Sequence, residues 1–343
     1  MEARRVRRLG LIGVGKHGAR YARHIRDEAP DLELAAIARR APDKLAATAR
    51  ELGAEPYADY RELIERAEVD ALIVVVPPML HVDIVARAAR AGIPVLLEKP
   101  AAPNLGAGRE MLAALRAHPT PVMVAQTLRY NTVVRVLAAA CERIGALRSL
   151  TFTQRFEPSS LGWLDDPSRS GGGIVLHTGV HAFDLMWMFS GLTPESVTCQ
   201  TQALHTRRTE DSFVATVRLG AGAALATVSC ARTAGARNAH IELVGERGTL
   251  IGDHVLNHAQ RVVGTAVEPL PVGASVPTVR EVLRDFVGAL RAGSPMPVTL
   301  ADGLRAVAVA DACYAAARSG QRTAVTTLED GPRRCGALQS GRG

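Results

Sequence analysis

Lysine is rare in this 343-residue chain: Lys16, Lys44 and Lys99 are the only lysines among 41 basic residues, and arginine fills the other cationic positions. Lys99 stands where an apolar run, Val95-Leu96-Leu97, meets Glu98 and then Pro100. Arginine is effectively always protonated, whereas a half-buried lysine shifts its pKa and exchanges a proton with a bound oxygen. A lysine that merely closes a strand end and pairs with Glu98 has the same local sequence, so the surroundings must decide. A second group, His177, His181 and Asp184, has the spacing that sets three side chains roughly on one helix face. Two histidines so placed suit zinc, a buried structural pair or acid/base work. Zinc is disfavoured, because no Glu follows the first histidine and no third ligand is apparent. A third group, Gly13-Val14-Gly15-Lys16-His17-Gly18, has the G-x-G-x-x-G pattern that brings backbone to a pyrophosphate.

These residues need elements to position them. Residues 7–14 read as an apolar strand and the chain to about 29 as a helix, the context the glycine pattern requires. The first glycine allows the tight turn, the second lets backbone approach phosphate, and the third lets helix pack on strand. Lys16 and His17 are expected to face the phosphates. The second strand, 32–38, ends at Arg39-Arg40, where a dinucleotide fold meets the adenosine ribose. An acid there would accept from the free 2′-hydroxyl of NAD; two guanidinium groups suit a 2′-phosphate, so NADP is favoured over NAD. Residues 69–76 form a β-branched run fit for a buried parallel strand, ending in Pro77-Pro78, with His81 opening the next helix. A helix over about 105–117 and a strand over 121–126 follow Lys99. This alternation predicts a doubly wound parallel sheet with ligands beyond its carboxyl ends. Gly13, Arg39, Val76, Pro77, His81, Glu98, Lys99 and Gln126 fall at or beside those ends and form the expected cofactor crevice.

The pattern then changes. Residues 149–157, 197–206, 212–219, 223–231, 239–244, 249–253 and 260–267 read as strands separated by glycine-rich turns, an antiparallel sheet. The triplet Gly171-Gly172-Gly173 leads into an apolar helical stretch over 175–189, and two helices, about 278–292 and 301–319, close the order. The expected domains are a dinucleotide-binding unit over 1–127, a substrate and oligomerisation unit over 128–328, and a disordered polar tail over 329–343.

Gly13-x-Gly15-x-x-Gly18, Pro77-Pro78-x-x-His81, Glu98-Lys99-Pro100, Leu128-Arg129-Tyr130-Asn131 and the segment from Gly171 to Asp184 together resemble one family, over nearly the whole chain. It is the glucose-fructose oxidoreductase, inositol dehydrogenase and rhizopine catabolism family, Gfo/Idh/MocA. The resemblance implies an N-terminal Rossmann domain and a C-terminal α/β domain built on a large, mostly antiparallel open sheet, which also joins a homodimer or homotetramer. It implies an NAD(P)-dependent hydride transfer at a carbinol or carbonyl carbon of a sugar, cyclitol or related polyol. By the same resemblance His181 and Lys99 flank the reacting oxygen, His181 as general base or acid and Lys99 as the orienting cation, or the reverse, with Glu98 positioning Lys99. His177 stands where the family more often has an aspartate, which points toward another ligand, one bearing an acidic group. Arg129, Arg155 and Trp163 join His177 and His181 as candidate substrate contacts. A redox-assisted glycosidase and a non-catalytic dinucleotide-binding sensor share the fold.

Composition narrows the remaining classes. The hydrophobic share of 47% and charged share of 22% are globular values. No apolar run reaches the roughly 18 to 20 residues a membrane span needs, and no cleavable leader is expected. The cysteines, Cys141, Cys199, Cys230, Cys313 and Cys335, are scattered without a C-x-x-C, which fits reduced thiols in a cytoplasm. Net charge is +7, but the arginines are dispersed and aromatics make up 4%, so the basic, aromatic-studded patch of a nucleic-acid binder is missing.

Overall fold

The computed structural model describes residues 2–328; the tail expected over 329–343, Cys335 included, lies outside them. Six strands form the first sheet: β1 (Arg8–Ile12), β2 (Glu33–Ala38), β3 (Glu55–Tyr57), β4 (Ala71–Val74), β5 (Val95–Glu98) and β6 (Val122–Ala125). Their order is β3-β2-β1-β4-β5-β6 and every pair is parallel. β4, β5 and β6 are buried along their whole length, which is why they read as unbroken apolar runs. Ile12 pairs with Ala38 and Val74, Leu97 with Val74 and Val124, and Glu98 with Ala125, so the carboxyl ends stand in one row. The strand order reverses at β1, which opens a crevice along that row. Five helices connect the strands: α1 (Gly18–Glu28), α2 (Pro42–Leu52), α3 (Tyr60–Arg66), α4 (His81–Arg90) and α5 (Leu105–Ala117). α1 buries Gly18, Tyr21, Ala22 and Ile25, the stripe of a helix lying on a sheet.

The second sheet has nine strands: β7 (Leu147–Arg155), β8 (Pro194–Gln202), β9 (Ser212–Leu219), β10 (Ala224–Ala231), β11 (His240–Gly245), β12 (Gly248–Asp253), β13 (His258–Val263), β14 (Ala266–Leu270) and β15 (Thr323–Ala324). They are ordered β14-β13-β12-β11-β7-β10-β9-β8-β15, antiparallel except for the central β7 and β10 pair. Buried and exposed residues alternate along β9 and β10, so one face is covered and the other open. α6 (Thr132–Ala140), α8 (Val180–Ser190) and α10 (Leu300–Ser319) contribute to the covered side; α7 (Pro167–Ser170) is a single turn and α9 spans Thr278–Ala292. Two local expectations change. Residues 260–267 are not one strand but parts of β13 and β14, folded back at Gly264, whose φ of +58° suits glycine. α6 has no counterpart in the sequence reading, although Asn131 caps it by accepting from the N–H groups of Val133 and Val134.

Two hydrophobic cores result, and α10 joins them. α9 and the first turns of α10 return to the first core through Val282, Phe286, Leu290, Leu300 and Leu304. Farther along α10, Val307, Val309, Ala310 and Cys313 lie in the second. A 20-residue helix buried on most sides is what a position between two layers requires. Among the described residues no helix is long and apolar enough to cross a membrane, and Cys141, Cys199, Cys230 and Cys313 are free thiols.

Candidate functional site

The three glycines of the first loop do different work. Gly13 has φ +97°, and a Cβ there would lie 2.1 Å from the Val75 carbonyl oxygen. A Cβ on Gly18 would lie 2.0 Å from the oxygen of Gly13. Both must be glycine for the turn to pack. A Cβ on Gly15 would meet nothing within 4 Å, so its backbone faces open space at the start of α1. α1 has no side-chain cap; the N–H groups of Ala19 and Arg20 donate to the carbonyls of Gly15 and His17, at 2.9 and 3.0 Å, so the loop's own backbone closes the first turn of a helix whose positive end faces the crevice. Farther along the row, Gln126 is 1% exposed and its Oε1 has no hydrogen-bond partner. An open backbone cradle, an uncapped helix start and an orphaned buried oxygen beyond the strand ends fit a dinucleotide.

Glu98 and Lys99 end β5. Glu98 is buried; its Oε1 accepts from His17 Nε2 at 2.8 Å and Tyr21 Oη at 2.7 Å, and its Oε2 from the Lys99 N–H at 3.2 Å. Burial alone would raise its pKa, but these donors outweigh it and hold the carboxyl below its ordinary value. The His17 ring, expected at the phosphates, is therefore turned to Glu98. Lys99 sends its Nζ to the carbonyl oxygen of His177 at 2.8 Å, joining the first sheet to the second domain. Burial brings its pKa down to about 8, with Glu98 opposing and Arg232 assisting.

The glycine triplet is explained by what packs on it. Cβ atoms would lie 2.7 Å from Pro103 at Gly171, 2.2 Å from the Tyr314 hydroxyl at Gly172 and 2.1 Å from the Glu210 carbonyl oxygen at Gly173. Glu210 then accepts from the N–H groups of Gly173 and Val175 and from Tyr314 Oη, holding the start of the following turn. That turn, Val175–Gly179, is π-helical and runs directly into α8, a widening often found at functional positions. His177 is 5% exposed; its Nε2 donates to the Ser170 carbonyl at 2.9 Å, and the ring meets the edge of Trp163 at 5.4 Å between centroids. Burial, then Lys99 and Arg232, lower its pKa to about 3, so it is neutral. His181 is half-buried, and its Nδ1 is enclosed without a partner. Burial, with Lys99, His254, His17 and Arg232 nearby, puts its pKa well below the usual value. It is a neutral base beside a lysine.

Several expected site residues are engaged elsewhere. Arg129 forms a two-pronged ion pair with Asp184, at 2.7 and 2.6 Å, so both are committed to each other and Asp184 does not brace His181. Arg155 donates to the carbonyl and hydroxyl oxygens of Ser229, at 2.6 and 3.0 Å, inside the second sheet. His81 is wholly buried and lies between the carbonyls of Val76 and Ala101, at 3.1 and 3.2 Å, tying the end of β4 to the chain after Pro100 rather than lining the crevice. Arg39 donates to Thr48 Oγ1 at 3.1 Å and Arg40 is exposed beside it. Three residues that no motif marked stand at the site. Arg232, just after β10, donates to Thr178 Oγ1 at 3.0 Å. His254, just after β12, lies close enough to His181 to affect its charge. Glu210, just before β9, holds the glycine triplet. Their common signal is a polar residue at a strand terminus, which the sequence repeats many times elsewhere.

Comparison with known proteins gives two family matches. Residues 7–126 match the oxidoreductase family with an NAD-binding Rossmann fold, and residues 137–251 match the GFO/IDH/MocA C-terminal domain. The rhizopine catabolism protein MocA of Rhizobium meliloti is 26% identical over 313 residues, 89% of this chain and 93% of that protein. The myo-inositol 2-dehydrogenase of Thermotoga maritima is 27% identical over 338 residues, 94% of this chain and 99% of that protein. Among solved structures, levoglucosan dehydrogenase in complex with NADH and L-sorbose shares the fold with a TM-score of 0.85 at 21% identity, covering 95% of this chain and all of that one.

Proposed function

The chain belongs to the Gfo/Idh/MocA family of NAD-binding oxidoreductases, and from that premise we propose that it oxidises a secondary alcohol of a sugar, cyclitol or related polyol, with NADP preferred. The observation that carries this reading is the bond from Lys99 Nζ to the carbonyl of His177, in the turn that runs into α8, together with the pull of Lys99 on the charge of His181: it supports a cation beside a neutral base. The row of strand ends from Gly13 to Gln126 would hold the cofactor, whose nicotinamide supplies the hydride exchange. The rest is proton management. His181 takes the hydroxyl proton as a neutral imidazole. Lys99 orients the oxygen, and Glu98, anchored by His17 and Tyr21, holds the backbone of Lys99 in place. His177 braces the turn through Ser170 and needs no charge to do so. Arg39 and Arg40, with no acid at the end of β2, suit a 2′-phosphate. The open face of the second sheet, with Val214 and Leu225 about half exposed, is the surface we assign to self-association.

The pH profile of alcohol oxidation separates the two roles. His181 is neutral above its depressed pKa, so it is ready as a base through the neutral range. Lys99 loses its proton as pH rises through about 8. If Lys99 only orients, kcat/KM falls above that pH and the fall disappears in Lys99→Arg; a rate that climbs through pH 8 instead makes Lys99 the base and overturns the assignment. Cofactor preference is read separately by calorimetric titration, in which tighter binding of NAD than of NADP would refute the role given to Arg39 and Arg40.

A further inference from the structure

A cavity of about 240 Å³, below the ~300 Å³ where pockets for drug-sized ligands begin and so suited to one small ring, is linked to the proposed reaction centre through Arg232, which lines it and also bonds Thr178 in the turn before His181. Its walls include the turn at Gly173 and Ile174, the loop through Leu161, and Arg232. Arg232 holds the hydroxyl of Thr178 while Lys99 holds the carbonyl of His177, so two cations from different domains grip consecutive residues of one turn. Among the described residues neither cation has a carboxylate within 4 Å. The acids around them are committed to other donors. Glu98 takes His17 and Tyr21, Glu210 takes two backbone N–H groups and Tyr314, and Asp184 takes Arg129. Asp165 and Asp211, which also line the cavity, accept the backbone N–H groups of 207–209 and 204–206. Thr178 is the sole hydrogen-bond acceptor of the Arg232 guanidinium among the described residues, and it engages one nitrogen. The remaining N–H groups offer the planar edge that a carboxylate meets with both oxygens. Glu210 attracts the guanidinium charge only from beyond hydrogen-bond distance, so a neutral polyol would leave the remaining N–H groups without an anionic acceptor in a half-buried place.

We propose that the substrate is a polyhydroxy acid, a sugar or cyclitol acid, whose carboxylate is held by Arg232 while the carbon bearing the reacting hydroxyl lies between Lys99 and His181. This rests on the oxidoreductase reading above. The carboxylate is unchanged in the reaction: the carbinol C–H leaves as hydride to the oxidised nicotinamide, the O–H proton passes to His181, and the C–O bond becomes a carbonyl.

The test compares D-glucuronate and D-gluconate with D-glucose, myo-inositol and glucose 6-phosphate, following formation of reduced nicotinamide. The acids should exceed the neutral compounds in kcat/KM by at least about tenfold. Arg232→Met should lower that ratio by about 100-fold, the loss expected for a paired charged hydrogen bond, with part of the ratio restored in Arg232→Lys. Binding of cofactor to both variants, followed by nicotinamide fluorescence, confirms that they fold. A preference for neutral or phosphorylated sugars, or a ratio that Arg232→Met leaves unchanged, overturns the proposal and leaves the oxidoreductase reading standing. If no compound turns over, calorimetry with D-glucuronate on the chain saturated with reduced cofactor decides it alone. Binding that Arg232→Met removes upholds the carboxylate site while the hydride-transfer reading falls; no binding sinks the site.

Discussion

In the first sheet Gly13, Arg39, Glu98 and Gln126 come together because every strand is parallel and in register, so each delivers its next residues to the same end. In the second sheet Arg232, His254 and Glu210 reach the site from a mixture of strand ends and strand beginnings. Ala231 pairs with Ser212, so the chain leaves β10 where it enters β9. Asp253 pairs with His240, so the chain leaves β12 where it enters β11. A parallel sheet turns position in the sequence into position in the crevice by one rule. An antiparallel sheet sends neighbouring strands to opposite ends, and only the register tells which terminus faces the ligand. The halves differ also in what their polar residues hold up. Beyond the first sheet lie atoms with nothing to bond, Gln126 Oε1 and the space over Gly15. Around the second, Arg129 is locked to Asp184 and Glu210 to the glycine triplet, and the unpartnered groups are confined to His181 Nδ1 and the free edge of Arg232 among the residues named at the site.

That contrast is most exposed at Arg129. Arg129→Ala would strand a buried Asp184 without its partner, at a cost of about 3–5 kcal/mol. The variant should show a large fall in melting temperature, with turnover lost because α8 carries His181. Asp184 already has its pKa raised by burial, against the pull of Arg129. Without the guanidinium it would rise further, so the variant should recover part of its stability as pH falls and the carboxyl protonates. A variant that keeps its melting temperature but loses affinity for substrate would restore Arg129 to substrate binding and erase the distinction between the halves.

The same contrast governs how much the sequence disclosed. The parallel sheet, its strand ends and the glycine loop were legible because hydrophobic runs, the G-x-G-x-x-G spacing and the isolated Lys99 are local signals. The glycine triplet was legible as a place of close approach, but what approaches it, Pro103, Tyr314 and Glu210, comes from distant segments. Arg129 and Arg155 read as pocket residues because arginine near a motif looks available; their partners, Asp184 and Ser229, are set by tertiary packing. Arg232 went unmarked for the converse reason, as one arginine after one strand in a chain that uses arginine almost everywhere. The hairpin of β13 and β14 was concealed because the apolar pattern continues through Gly264.

The smallest stability effect belongs to Gly15, and it sharpens the comparison from the other side. Gly15 does not have a positive φ, and a Cβ there meets nothing, so Gly15→Ala should change stability by no more than about 0.5–1 kcal/mol, toward greater stability if anything, since alanine restricts the unfolded chain. The methyl group would nevertheless stand where a pyrophosphate must come close to backbone N–H groups. Calorimetry should therefore show cofactor affinity lower by tenfold or more at an unchanged or slightly raised melting temperature. Equal affinity in the variant would mean that phosphate does not approach over Gly15. The cradle would then have to be sought at Lys16 and the start of α1, and separation of ligand binding from folding in the first half would rest on Gln126 alone.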